Sequence, residues 1–325
     1  MLDLRGKRVV MTGATGFIGR NVARRFLEGG AEVFCLVRPD SQNCAALENA
    51  AGDCSAARQK NLHIIAGTME DAEVVCAAQV GSADLFLHFA WRGVNRGEID
   101  SPAVQQINIE DSLRCVRAAI DLGCQVFMDA GSRVEYGIMP DGRMEETMEC
   151  RPVNAYGKAK LAFFHEAEPL LHKAGITYYH LRYFSVYGRG DHPWSIISTL
   201  TRDLPMGKTV SLSACRHRWN FMDIEDASRA VAELYRYSDG HAGECHIVNV
   251  ASEDTRVLRD FVEEIDALCG HKGALEFGTF VQAKEGALSI RPVTERLKIL
   301  TDGTWRERVS FADGIRRMLE EREST

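Results

Sequence analysis

Tyr156 and Lys160 lie four residues apart in Ala155-Tyr156-Gly157-Lys158-Ala159-Lys160, at the start of a segment that reads as a helix running to about residue 173. That spacing puts a phenol and an ammonium on one helix face. A phenol with an ordinary pKa of about 10 exchanges protons poorly at neutral pH, but a neighbouring cation favours its ionised form and makes it usable. An isolated Tyr-x-x-x-Lys is an ordinary surface pattern. What distinguishes this one is Ser132, in Ala130-Gly131-Ser132-Arg133-Val134-Glu135-Tyr136-Gly137, placed just after an apolar run. A serine hydroxyl there can hydrogen-bond an oxygen whose carbon gains or loses hydride.

A second chemical feature stands at the head of the chain. Gly13-Ala14-Thr15-Gly16-Phe17-Ile18-Gly19 follows the apolar run Val9-Val10-Met11 and opens a helix whose Ile18, Val22 and Phe26 recur every four residues. A strand that turns sharply into a helix, with its backbone close to a pyrophosphate, needs residues without a Cβ. The helix amides then face the anion.

The elements that would position these groups alternate along the first half of the chain. Apolar runs at 9–11, 33–37, 63–66, 85–90, 126–130 and 178–183 are separated by helical stretches. This predicts an α/β fold with a doubly wound parallel sheet, whose ligands sit at the C-terminal edge of the strands. Beyond residue 188 the pattern loosens into loops and helices at about 257–268 and 311–321, predicting a smaller C-terminal lobe. The run at 244–250 again reads as a sheet strand, so the lobe is expected to be discontinuous: residues 1–188 with a returning segment near 216–250, and residues 189–325.

Composition narrows the partners. The 325 residues hold 39 basic and 46 acidic side chains, for a net charge of -7. With no long basic run, neither nucleic acid nor an anionic membrane surface is indicated. No signal-like core or apolar stretch near twenty residues is found, so a cytoplasmic protein is expected. The ten cysteines include no Cys-x-x-Cys pair and read as buried thiols, with no metal expected.

Five ordered motifs resemble the extended short-chain dehydrogenase/reductase superfamily, which includes UDP-galactose 4-epimerase, the nucleotide-sugar 4,6-dehydratases and related 4-ketoreductases. The G-x-x-G-x-x-G loop has that group's spacing. Ser132 precedes Tyr136-Gly137 as the family's Ser/Thr precedes its Y-G pair, and Tyr156 and Lys160 match the active-site tyrosine and lysine. Asn108 matches the helix asparagine that holds a water near the lysine. Arg182-Tyr183-Phe184-Ser185-Val186-Tyr187-Gly188 looks like R-x-x-N-V-Y-G-P, and the segment from Trp219 to Ala227 is similar to R-D-F-x-x-V-D-D-V. The resemblance implies a Rossmann sheet, with Ser132, Tyr156, Lys160 and Asn108 catalytic. It implies cofactor contacts at Gly13, Thr15, Gly16, Phe17, Ile18, Gly19, Arg38, Met69, Ala90, Tyr156, Lys160 and Phe184. Substrate contacts are implied at Trp91, Ser132, Arg133, Ser185 and Arg218, while Arg216, His217 and Arg291 are further candidates to grip a diphosphate. His88 is expected to be structural.

The departures refine these expectations. The dehydratases place an acidic pair directly after the catalytic Ser/Thr, whereas this chain has Arg133 and Val134, so elimination lacks its acid and base. Ser185 and Arg189 replace the family's asparagine and proline. At the end of the second strand, where NAD sites place a carboxylate, stand Val37 and Arg38. Arginine can pair with a 2'-phosphate, so NADP(H) is favoured, with NAD(H) possible through Asp40. The expected function is NADP(H)-dependent reduction of a nucleotide-linked 4-keto-6-deoxy sugar by a homodimer joined through helices at about 103–121 and 154–173. The alternatives are a nucleotide-sugar 4-epimerase retaining NAD, a reductase of small ketones, and a non-catalytic NADP(H)-binding sensor or assembly subunit.

Overall fold

The computed structural model describes residues 3–52, 54–55, 59–94, 97–139, 142–280 and 289–323. Seven strands form the central sheet: β1 (Arg8–Thr12), β2 (Glu32–Val37), β3 (Leu62–Ala66), β4 (Leu85–His88), β5 (Val126–Ser132), β7 (Thr177–Tyr183) and β11 (Cys245–Val250). They run in the order β3-β2-β1-β4-β5-β7-β11, with every neighbouring pair parallel. The strand order reverses between β1 and β4, the position where open α/β sheets bind their ligands. The run at 244–250 does return to the sheet, as its edge strand β11 beside β7.

Alternate residues along each strand serve opposite faces of the sheet. Val9, Met11, Val33 and Cys35 pack under α1 (Phe17–Gly29) and α7 (Ile224–Arg236). Val10, Phe34, Phe86 and Phe127 pack under α4 (Pro102–Asp121) and α5 (Ala155–Lys173). Because both faces are covered, the strands read as nearly continuous apolar runs. Each of the two long helices has a built start. Ser101 accepts from the Val104 amide with Pro102 in the first turn, and Asn154 accepts from the Gly157 amide at 2.8 Å.

The apolar run at 85–90 predicts a longer strand than is found, since β4 stops at His88. Phe89 and Ala90 leave the ladder to lie against the glycine turn, where the Phe89 amide still donates to the Thr12 carbonyl. Beyond the sheet, β8 (Ser185–Tyr187) pairs with β10 (Arg218–Asp223), which pairs with β12 (Thr255–Val257); two further short pairs join β9 (Thr209–Leu212) to β13 (Ala274–Phe277) and β6 (Arg143–Met144) to β14 (Arg291–Pro292). A separate apolar core unites Tyr187, Leu200, Phe221, Phe261 and Phe311 from α6 (Ile196–Asp203), α8 (Leu258–Leu268), α10 (Phe311–Glu323) and the neighbouring strands.

Candidate active site

The turn after β1 is shaped by what cannot fit there. Gly13 has φ +72°, and a Cβ on it would lie 2.5 Å from the Ala90 nitrogen and the Phe89 carbonyl carbon. A Cβ on Gly19 would overlap the Gly13 carbonyl oxygen. Gly16 begins α1 without a side-chain cap, and no acidic residue occupies the first turn. The result is a helix N-terminus with free amides beneath a closely approached backbone, which fits a dinucleotide pyrophosphate. Beside it, the Ser41 hydroxyl donates to Thr15 Oγ1 at 3.5 Å, joining the β2 end to the loop. Val37 is buried, whereas Arg38 is exposed with Nε 3.9 Å from Asp40. Phe17 and Met69 are buried, Ile18 and Ala90 half-buried, and the Ala90 amide donates to Thr12 Oγ1 at 3.4 Å.

At the C-terminal end of β5 the three expected catalytic groups meet. Tyr156 is half-buried beside Ser132. Burial pushes the phenol up to about 12, against the lowering effect of the Ser132 hydroxyl. Lys160 is buried, donates to the Ala130 carbonyl at 2.7 Å and is pushed down to about 8 by burial, while Asp129 and Glu135 hold it up. Trp91 forms a wall shared by both residues: its ring meets Tyr156 edge-on at 6.1 Å, and the Lys160 ammonium lies 3.5 Å from its centroid. Gln105 accepts from the Trp91 indole at 2.8 Å and fixes it.

Asn108 stands one step removed from this group. Its side chain is buried, accepts from the Arg92 amide at 2.8 Å and donates to the Arg92 carbonyl at 2.9 Å, pinning the loop that presents Trp91. His88 lies between Thr12 and Ser112 at 2.8 and 2.9 Å, and burial pushes it down to about 3, so it is a neutral structural histidine. Phe184 is buried against Tyr136, and half-buried Ser185 opens β8. Arg133 is half-buried, its guanidinium 4.9 Å from the Trp219 ring centroid. Arg216, Arg218 and Arg291 are exposed, and Arg218 bonds the Thr255 carbonyl at 3.4 Å. Among the described residues His241, Glu244 and His246 bring ligand-type atoms within 4.8 Å of one another, with Arg296 Nη2 3.4 Å from His246 Nδ1.

The sequence reading missed the group directly beneath Ser132. Glu135 accepts from the Ser132 amide at 2.6 Å through one oxygen; through the other it meets His180 Nε2 and Arg182 Nε, each at 2.8 Å. His180 Nδ1 lies 2.8 Å from Asp129, which also accepts from Tyr178 at 2.8 Å. Burial alone would lower His180, but Asp129 and Glu135 on either side raise it to about 9. Burial would raise Glu135, yet His180 and Arg182 hold it near 2. Gly131 makes the room, because a Cβ there would lie 2.6 Å from His180 Nε2 and 3.0 Å from Glu135. The available signal was charge within apolar strands: Asp129 in the fifth run, His180 and Arg182 in the sixth.

A glycine turn shaped to fit a pyrophosphate and a Ser-Tyr-Lys group share one sheet edge. The model of the NAD dependent epimerase/dehydratase family matches residues 9–251. The chain belongs to that family. Among curated members, the dTDP-glucose 4,6-dehydratase of Streptomyces niveus is 24% identical over 316 residues, covering 95% of this chain and 90% of its own. The dTDP-6-deoxy-L-talose 4-dehydrogenase (NAD(P)(+)) of Kitasatospora kifunensis is 28% identical over 264 residues, covering 79% and 77%. Among solved structures, the UDP-N-acetylglucosamine 4-epimerase of Methanobrevibacter ruminantium M1 superposes with TM-score 0.81 at 19% identity, over 100% of this chain and 99% of the other. This epimerase/dehydratase family member is an extended short-chain dehydrogenase/reductase, an enzyme family acting on nucleotide sugars with NAD(H) or NADP(H).

Proposed function

We propose that this enzyme transfers hydride between NADP(H) and C4 of a nucleotide-linked sugar, reducing a 4-keto group; a 4-keto-6-deoxy sugar is the class the resemblance implies. The observation that carries this reading is the convergence of Ser132, Tyr156 and Lys160 at the β5 edge, with the Lys160 ammonium 5.9 Å from the Tyr156 ring centroid, beside the strand-order reversal. The nicotinamide cofactor supplies the hydride when bound. Tyr156 gives its proton to the oxygen that becomes an alkoxide, and Ser132 donates to the same oxygen and polarises it. The Lys160 ammonium, 5.9 Å from the phenol ring centroid, offers a positive charge to the phenolate that this transfer leaves, against the burial that holds the free phenol up to about 12. Trp91, fixed through Gln105 and the Asn108-held loop, keeps water from that side of the pair. A homodimer through α4 and α5 belongs to the same reading, with Ile107 and Leu170 the exposed apolar residues of these helices. No described helix is long and apolar enough to cross a membrane.

Cofactor choice is tested at Arg38. Its exposed guanidinium at the β2 end suits a 2'-phosphate, which a carboxylate there would repel. Arg38→Ala is expected to weaken NADPH binding by about 1.5–3 kcal/mol and to leave NADH binding nearly unchanged, as read by calorimetry. Wild-type preference for NAD would shift the reading to the 4-epimerase, which retains an oxidised cofactor through its cycle.

The resemblance to a 4,6-dehydratase does not extend to the residues after Ser132. Arg133 and Val134 offer neither acid nor base, so incubation with dTDP-, CDP- or UDP-glucose is expected to give no 4-keto-6-deoxy product. Formation of its base-induced chromophore at enzymatic rates would overturn the use of these two positions as an exclusion.

A further inference from the structure

Arg133 is an unmatched charge. The Ser132 side chain caps the short 3-10 helix Arg133–Tyr136, so Arg133 extends from a fixed backbone immediately next to the Ser132 hydroxyl. Half-buried, it stacks on Trp219 and makes no ion pair with any described residue. Burial lowers its pKa from the ordinary guanidinium value, with no carboxylate acting against that effect. Burial and Arg133 itself push the pKa of His217 down. The carboxylates of this region are occupied elsewhere: Glu135 by His180 and Arg182, Asp129 by His180 and Tyr178. Lys160 adds a second positive charge behind Trp91.

A half-buried guanidinium with no anion beside it gains free energy when one binds, and its planar fork matches the two oxygens of a carboxylate. We propose that Arg133, braced on Trp219, receives a carboxylate on the sugar ring, so that the substrate is an acidic nucleotide-linked sugar. The proposal rests on the reading of Ser132 as the group that addresses the C4 oxygen. A carboxylate on C5 is the substituent next to that oxygen, within the span of adjacent residues. The diphosphate hangs from C1 across the ring. The 6-deoxy sugar implied by the resemblance would leave Arg133 without a partner, so the two substrate classes are separable.

The test measures binding to the enzyme saturated with NADP+, using glucose, 6-deoxyglucose and glucuronic acid, and their galacto forms, each linked to UDP, dTDP, CDP and GDP. The uronic acid is expected to bind about tenfold to a hundredfold more tightly than the 6-deoxy sugar on the same nucleotide. Arg133→Met should erase that difference while leaving neutral sugars, free nucleoside diphosphate and NADP+ within about threefold; Arg133→Lys should restore part of it. Equal binding of acidic and neutral sugars by the wild type overturns the proposal. So does an equal loss for every ligand, free nucleoside diphosphate included, in Arg133→Met, because the anion is then the diphosphate. In both cases the proposed reaction stands. If the wild type binds no nucleotide sugar at all, the reading of the active site falls, and this proposal with it.

Discussion

Tyr156→Phe is expected to lower turnover by about 10²–10⁴, the range for losing a positioned general acid, while leaving the fold and NADP(H) affinity intact. The hydroxyl has a task that the ring does not share. The ring packs edge-on against Trp91, and phenylalanine keeps that contact. In the proposed reading cofactor affinity comes mainly from the glycine turn and Lys160, and phenylalanine keeps the ring of Tyr156 in place beside them. Ser132→Ala should fall similarly, because the keto oxygen loses a donor in the transition state. Lys160→Met should damage turnover and cofactor binding together. NADPH consumption with a panel of 4-keto nucleotide sugars, alongside calorimetry with NADPH alone, separates these outcomes. Near-normal turnover in Tyr156→Phe would remove the proton-transfer role and leave the cofactor-binding sensor as the better account.

Glu135→Ala is expected to cost about 3–5 kcal/mol of stability, the penalty for stranding buried charges. Arg182 would lose its ion pair and His180 one of its two carboxylates, all of them inaccessible to water. The pH dependence follows from the shifted groups. Glu135 is held near 2 against an ordinary 4.5, so its contribution is complete above about pH 4.5 and is lost as pH falls toward 2. His180 is held near 9 against an ordinary 6.5, so its contribution is complete below about pH 6.5 and is lost as pH rises through 9. The two overlap fully between about pH 4.5 and 6.5. Urea melts of the wild type should show stability falling from pH 6 to 9.5, and the variant should show a smaller fall. A wild-type curve flat across that interval would mean that His180 is neutral in the folded protein.

The parts of this site that were legible in the sequence are those whose function constrains local chain geometry. The Gly13 turn must avoid Phe89 and Ala90, so glycine is obligatory and its spacing can be read. Tyr156 and Lys160 share a helix face whose start Asn154 marks. The parallel sheet was legible because burial on both faces makes its strands apolar throughout. What stayed hidden depends on pairing between strands distant in sequence. Asp129 and His180 face each other only because β5 and β7 are neighbours in register, which no local pattern specifies. The end of β4 was misjudged for a related reason: Phe89 and Ala90 are apolar enough for a strand but are drawn out of it by the turn after β1. Asn108 was legible only through its match to the family's helix asparagine, while its attachment to Arg92 required the loop to be seen.

Gly131 has a consequence for how this sequence can change over time. A side chain at position 131 collides with His180 and Glu135, and a smaller residue at 180 strands Glu135 and Asp129, so fitness effects at these four positions are epistatic. A lineage cannot acquire a residue larger than glycine here while His180 remains. The permissive order replaces Asp129, Glu135 and His180 by apolar residues first and enlarges position 131 last, and it frees Arg182 only if a new carboxylate arrives with them. Ancestors and descendants of this chain should therefore differ at these positions as a block, with single-step intermediates purged by instability.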